Sequence, residues 1–343
     1  MRIVVTGGAG FIGSALARYL IKETKSEVLI LDKLTYAGNL LSLSNIEKND
    51  RYRFEKIDIC KEEETKKLVL DFKPNYIFHL AAESHVDKSI SSPDIFIESN
   101  IIGTYNLLKI AYLSWSILNE KEKLDFKFIH ISTDEVYGDI SDQKSPSNEE
   151  SLYKPSSPYS ASKASSDHLV NAWNRTFKLP TIITHSTNNY GPYQHPEKLI
   201  PSSIFNAMEG KNIRIYGNGK QVRDWIFVED HVKALYAVLS HGRVGESYNI
   251  GSSNQINNLQ VVNKILALIE EEFSENKELE NLIEFVEDRP GHDVRYGMDC
   301  TKIKENLGWE PKESFDSGLK KTVDWYLNNR AWSESISSNQ RGR

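Results

Sequence analysis

Two neighbouring carboxyl groups, Asp134 and Glu135, stand in the run Ser132-Thr133-Asp134-Glu135-Val136-Tyr137-Gly138, directly after a strand-like stretch that begins at Lys127. Adjacent carboxyls can serve one substrate as general acid and general base if their surroundings push their pKa values apart. Such a pair suits elimination of water next to a carbonyl. One group takes an acidified C–H proton and the other protonates the departing hydroxyl. Downstream, Tyr159 and Lys163 are four residues apart and share a helix face one turn apart. A phenol with a reference pKa of ~10 is a poor base near neutrality. A nearby ammonium and a cationic cofactor ring favour its phenolate and lower that pKa. The tyrosine can then take the proton of an alcohol whose carbon loses hydride. Singly, each pair has a plainer reading: carboxylates at a helix N-terminus, or an ordinary Tyr–Lys pair on a helix surface. The chemical reading also carries a condition. In an extended strand Asp134 and Glu135 point to opposite faces, so the chain must turn at the strand end, which Gly138 permits.

Hydride chemistry needs an acceptor, and the N-terminus offers a place for one. Gly7-Gly8-Ala9-Gly10-Phe11-Ile12-Gly13 follows a strand-like run and opens a helical one. Gly7 permits the tight turn, Gly10 lets the backbone approach a pyrophosphate, and Gly13 lets the helix pack close to the sheet. Asp32 ends the second strand-like run 19 positions after Gly13, where a carboxylate binds an adenosine ribose and repels a 2′-phosphate. The cofactor expected is therefore NAD.

The elements that must position these residues are legible as rhythm. Apolar runs at 3–5, 28–31, 52–57, 76–80, 127–132 and 180–186 alternate with helical stretches at 11–23 and 95–113. Uniformly apolar strands separated by helices indicate a parallel sheet covered on both faces. The expected fold is α/β, a Rossmann-type doubly wound parallel sheet with a smaller, loop-rich C-terminal substrate-binding lobe. From Tyr190 onward proline and glycine become frequent, and the chain returns to the main sheet at about 226–251, with a helix at 228–239 and a strand at 248–250. The expected division is 1–187 for the cofactor-binding domain, 188–225 and 252–332 for the substrate lobe, and 333–343 as a frayed tail. An acidic, solvated helix end is expected at 270–280. A net charge of −6 opposes a nucleic-acid surface. No stretch reaches the roughly 20 apolar residues of a membrane span. No signal peptide precedes the first strand, so a cytoplasmic protein is expected. Cys60 and Cys300 form no framework, and the nine histidines show no metal-ligand spacing.

The glycine spacing, with Tyr159-Ser160-Ala161-Ser162-Lys163 downstream, resembles the extended short-chain dehydrogenase/reductase family from residue 1 to about 325. That resemblance implies cofactor contacts by Gly7, Gly10, Phe11, Ile12, Gly13, Asp32, Lys33, Leu34 and Thr35. It adds Asp58 and Ile59 beside the adenine, Leu80, Ala81 and Ala82 beside phosphates and ribose, and Ser99, Tyr159, Lys163 and Asn188. Within this family the Thr133-Asp134-Glu135 segment is similar to that of the nucleotide-sugar 4,6-dehydratases. The likeness makes Asp134 the acid, Glu135 the base and Thr133 the partner of the C4 hydroxyl. The expected reaction is NAD-dependent conversion of dTDP-glucose to its 4-keto-6-deoxy sugar.

Longer runs carry the same likeness: residues 32–39, 81–87, 188–193, 196–201, 223–225 and 289–293. Arg223 and Arg289 can each present a planar fork of donors to phosphate oxygens. Ser84, Asn189, Lys198, Leu199, Asn258 and His292 are the family-matched substrate contacts. Val294, Gly297-Met298 and Ser202-Ser203 depart from the family pattern near the nucleotide pocket. Three alternatives stay open: a nucleotide-sugar 4-epimerase, a dehydratase using another nucleotide, and a non-catalytic NAD-sensing protein. The family also implies a homodimer through helices at 95–113 and 159–177, with Tyr105, Leu108, Tyr112 and Trp173 each either offering apolar surface or facing its own core.

Overall fold

The computed structural model describes residues 1–141, 145–273 and 278–341. Seven parallel strands form the main sheet. In chain order the strands are β1 (Arg2–Thr6), β2 (Glu27–Asp32), β3 (Tyr52–Lys56), β4 (Tyr76–His79), β5 (Lys127–Thr133), β6 (Thr181–Ser186), β7 (Asn188–Tyr190), β8 (Ile213–Tyr216), β9 (Val222–Phe227), β10 (Ser247–Ile250), β11 (Gln255–Asn257) and β12 (Ile283–Val286). The sheet order is β10-β6-β5-β4-β1-β2-β3. It reverses direction between β1 and β4, which opens a crevice at the carboxyl ends of the strands. The central strands are buried because helices cover both faces. The helices Phe11–Glu23 and Val228–His241 bury Leu16, Leu20, Val232 and Leu235 on one side. The helices Glu62–Phe72, Gly103–Ser116 and Pro158–Phe177 bury Val69, Leu107, Ile110 and Val170 on the other.

A second core lies between the helices Leu199–Glu209, Asn258–Phe273 and Phe315–Asn328 and the small sheets β11-β9-β7 and β12-β8. Tyr190, Trp225, Phe227 and Phe315 pack there ring against ring. Because β9 runs straight into the helix that covers the main sheet, the two cores share a wall.

The helix that carries Tyr159 and Lys163 is well specified locally. Ser157 and Ser160 form a capping box, Pro158 opens the first turn, and Lys178 closes the helix in a left-handed conformation with φ 58°.

Three expectations need correction. The helix expected at 95–113 is interrupted: Asp94–Phe96 leads into a π-helical segment, Ile97–Ile102, before Gly103–Ser116. Leu108, a candidate for interface surface, is fully buried in its own core, whereas Tyr105 is exposed. The frayed tail is instead the helix Arg330–Arg341, anchored by buried Trp332 and Ile336. Trp332 stacks edge-on to Trp325 at 5.2 Å, and its indole N–H donates to Ser42 Oγ at 3.2 Å. Much of the acidic stretch at 274–280 lies outside the described residues. No helix among the described residues is long and apolar enough to cross a membrane.

Trp332→Ala should lower unfolding free energy by about 3 kcal/mol, measured by urea denaturation. An unchanged midpoint would show that this helix lies outside the cooperative core.

Candidate active site

The crevice at the carboxyl ends of β1, β2, β4 and β5 is a cleft of about 320 Å³. Its floor is the glycine loop. Gly7 adopts φ 68°, and a Cβ there would lie 2.7 Å from Ala81 N. At Gly13 a Cβ would meet Gly7 O at 2.2 Å. Any side chain would therefore lift the helix off the loop. No side chain caps the Phe11–Glu23 helix, so its first-turn amides face the cleft. Asp32 Oδ2 accepts from Ala9 N–H at 2.9 Å and Oδ1 from Leu34 N–H at 2.8 Å, which fixes the carboxylate at the strand end. Burial raises its pKa, and those two amides oppose the rise. These features, a Cβ-free cradle, an uncapped helix start and a pinned carboxylate, fit a dinucleotide.

Thr133 ends β5, and residues Asp134–Tyr137 form a single 3-10 turn. Thr133 Oγ1 accepts from Glu135 N–H at 3.3 Å and donates to Asp134 Oδ1 at 3.2 Å. Gly138 closes the turn at φ 77°, where a Cβ would lie 2.1 Å from Lys154 O. The condition set by strand geometry is thus met: Thr133, Asp134, Glu135, Tyr159 and Lys163 all line the same cleft.

Their environments differ. Asp134 is buried, its Oδ2 has no hydrogen-bond partner, and its pKa is raised well above the carboxylate range by burial and then by Glu135. Glu135 is half-buried; burial raises its pKa too, but Arg289, Arg223 and Lys198 pull it back. The pair is therefore built to hold one proton on Asp134 and leave Glu135 the better base.

Tyr159 corrects a sequence expectation. Its pKa is raised, first by burial and next by the Glu135 charge, while the Thr133 hydroxyl opposes the rise. The Lys163 ammonium instead donates to Ile131 O at 2.8 Å and lies 3.4 Å from His130 Nε2. Burial pulls the Lys163 pKa down to about 8.

Phe11, Ile12, Lys33, Thr35, Asp58, Ile59, Leu80, Ala81, Ala82, Ser84, Ser99, Asn188, Asn189 and Lys198 also line the cleft. Leu34, Leu199, Arg223, Asn258, Arg289 and His292 do not. Leu34 adopts φ 56°, and Leu199 and Asn258 open helices. The Arg223 fork is engaged by backbone: Nη1 donates to Val222 O at 2.8 Å and Nη2 to Asp293 O at 2.8 Å. Arg289 lies 3.6 Å from Asp87, and His292 2.5 Å from Asp288. Both arginines nonetheless act on Glu135 through their charge.

Sequence reasoning did not single out four polar lining residues: Glu83, Thr187, His195 and Glu197. Glu83 lies 3.5 Å from Lys33, and Glu197 lies 3.7 Å from Lys88. All four sit in or beside runs that carried the resemblance, but no spacing rule marks them. No group of three or more His, Cys, Asp or Glu among the described residues is placed to hold a metal ion.

Comparison with known proteins gives a consistent result. A family model described as GDP-mannose 4,6 dehydratase matches residues 4–322. The dTDP-glucose 4,6-dehydratase of Neisseria meningitidis serogroup B is 54% identical, covering 98% of this chain and 96% of that one. That of Haemophilus influenzae is 56% identical over 96% of this chain and 98% of its own. The Streptomyces venezuelae dTDP-glucose 4,6-dehydratase, solved with NAD bound, superposes with TM-score 0.89 at 40% identity, covering 98% of this chain and 100% of that chain.

At pH 7 the protein should show an infrared carboxylic-acid carbonyl band that vanishes in Asp134→Asn and persists in Glu135→Gln. Since the Asp134 pKa is raised, the band should outlast the ordinary carboxylate range as pH increases. Its absence in the wild type would contradict the assigned proton.

Proposed function

The chain belongs to the GDP-mannose 4,6-dehydratase family, and from that premise we propose that it is a hydro-lyase converting dTDP-glucose to dTDP-4-keto-6-deoxyglucose. The observation that carries this reading is the 3-10 turn that places Asp134 and Glu135 beside Tyr159. A 4-epimerase needs to remove and return a hydride but has no use for a second acid–base pair. A cofactor sensor needs neither. The relatives named above share the dTDP-glucose activity over nearly their whole length.

The glycine loop, Asp32, Asp58 and the Leu80-Ala81-Ala82 segment hold NAD, with Asp32 selecting against a 2′-phosphate. When bound, NAD would accept the C4 hydride and later supply it to C6, and its positive charge would add to that of Lys163 in favouring the ionised phenol. Thr133 Oγ1 hydrogen-bonds the C4 oxygen while Tyr159 takes its proton. Lys163 beneath them favours the ionised phenol. Glu135 then removes the C5 proton, made acidic by the new C4 carbonyl. Asp134 gives its proton to the departing C6 hydroxyl, so one water leaves. Glu135 finally returns a proton to C5. Asn189, Lys198 and Ser84 face the sugar nucleotide, while Arg223 and Arg289 act through their charge on Glu135.

Residues 1–187 with 226–251 form the NAD-binding domain, and 188–225 with 252–332 the nucleotide-sugar lobe. The enzyme works in the cytoplasm as a homodimer. Its contact face is the ring cluster Tyr105, Tyr112, Trp173 and Phe177, flanked by exposed Ile97, Ile102 and Leu113.

Incubation with dTDP-glucose should yield a product lighter by one water, faster than with UDP- or CDP-glucose, measured by mass spectrometry. A hexose isomer without mass loss would reassign the enzyme as an epimerase. Asp134→Asn and Glu135→Gln should each lower kcat by roughly 10²–10⁴-fold with little change in KM. Retention of full water loss by either variant would refute the assigned roles.

A further inference from the structure

Tyr159, Lys163 and Asp167 follow one another at four-residue steps and so occupy one face of the Pro158–Phe177 helix. The chemistry above uses the first two. Asp167 is fully buried and surrounded by polar groups from two strands and a loop. Ser132 Oγ donates to its Oδ2 at 2.7 Å. His130 Nε2, from β5, lies 3.2 Å from its Oδ1, and His185 Nε2, from β6, lies 3.4 Å from its Oδ2. Tyr153 OH sits 2.7 Å from His185 Nε2, and Tyr137 OH 3.2 Å from His185 Nδ1. The same His130 Nε2 that approaches Asp167 is 3.4 Å from Lys163 Nζ. His79, from β4, stacks against His130 with ring centroids 5.1 Å apart. Lys163, Tyr159, Asp134 and Glu135 all line the cleft.

Among these groups one anion and one cation stand out. Burial pushes His130 down to about 4 and His79 well below its usual range, so both imidazoles are neutral near pH 7. Burial works to raise the Asp167 pKa, but the neighbouring His130 and His185 outweigh it and hold the carboxyl below the carboxylate range, so it stays ionised. Two opposite charges one helical turn apart, both buried against His130, form a compensated unit, whereas either alone would be costly in so dry a place.

We propose that Asp167 is a positioning residue for this reaction: the buried counter-charge, one helical turn from Lys163, that keeps its ammonium charged one turn from Tyr159. The proposal rests on the reading of Tyr159 and Lys163 given above. Burial lowers the Lys163 pKa and Asp167 opposes the fall, so the lysine reaches about 8 and not less. Without that carboxylate the amine would be largely neutral at pH 7 and could no longer favour the phenolate.

The test is a pH titration of full-length protein labelled with 13C at lysine Cε, without substrate. The Lys163 signal is assigned by its loss in Lys163→Met. In the wild type it should remain that of an ammonium through pH 7. In Asp167→Asn its midpoint should fall by about one pH unit or more. The basic limb of the kcat profile should move down by the same amount while KM for dTDP-glucose holds, and Asp167→Glu should recover both. A merely structural aspartate would lower thermal stability without moving the lysine midpoint, and an unmoved midpoint overturns the proposal. If Asp167→Asn does not fold, the wild-type titration decides: a midpoint below about 7 overturns the proposal and one near 8 or higher sustains it. Failure of the dTDP-glucose reaction would leave this titration unchanged, so the two readings fail separately.

Discussion

The chemistry of this protein depends on where β5 stops. A strand alternates its side chains between two faces, and had it continued past Thr133 the neighbouring carboxyls would have been separated by the thickness of the sheet. The chain instead turns at once into a 3-10 segment, held by the Thr133 hydroxyl on the Glu135 amide and closed by the left-handed Gly138 against Lys154 O. The buried strand before the turn gives it a rigid base, with Phe128 and Ile129 fully enclosed. A loop could have carried the same residues, but not with the same fixed relation to Tyr159 on the neighbouring helix.

Once the turn is set, burial and Coulombic interaction divide the work. Desolvation is the largest influence on Asp134, Tyr159 and Lys163, and it disfavours the charged form of each. Burial alone would leave the two carboxyls alike. Charge distinguishes them, because Glu135 faces Arg289, Arg223 and Lys198 whereas Asp134 faces chiefly Glu135 itself. The arginines act at a distance here: the Arg223 guanidinium is tied to backbone carbonyls, which holds its charge in place without spreading its donors into the cleft. The same logic runs behind the site, where a single carboxylate under Lys163 offsets the cost of burying an ammonium.

What was legible in the sequence follows from how local each feature is. The parallel sheet showed as uniformly apolar runs, and the glycine loop with Asp32 showed as spacing, because both depend on a few consecutive residues. The π-helical segment Ile97–Ile102 was not legible, since its apolar residues suit an α-helix equally well. The helix Arg330–Arg341 was hidden by its polarity: Trp332 and Ile336, one turn apart, are the anchors that dock it, and the ring stack with Trp325 exists only in the fold. The raised pKa of Tyr159 and the engaged fork of Arg223 were missed for a common reason: depth and backbone partners are tertiary quantities. The groups around Asp167 come from β5, β6 and the loop at Tyr153, and no motif joins them.

The central claim is that one constellation oxidises C4, eliminates water across C5 and C6, and reduces C6 without releasing the sugar. The most direct measurement is turnover of dTDP-glucose carrying deuterium at C4, with the label located in the product by NMR. The expected result is deuterium at C6 and none at C4. Deuterium found back at C4, or lost to water, would contradict it.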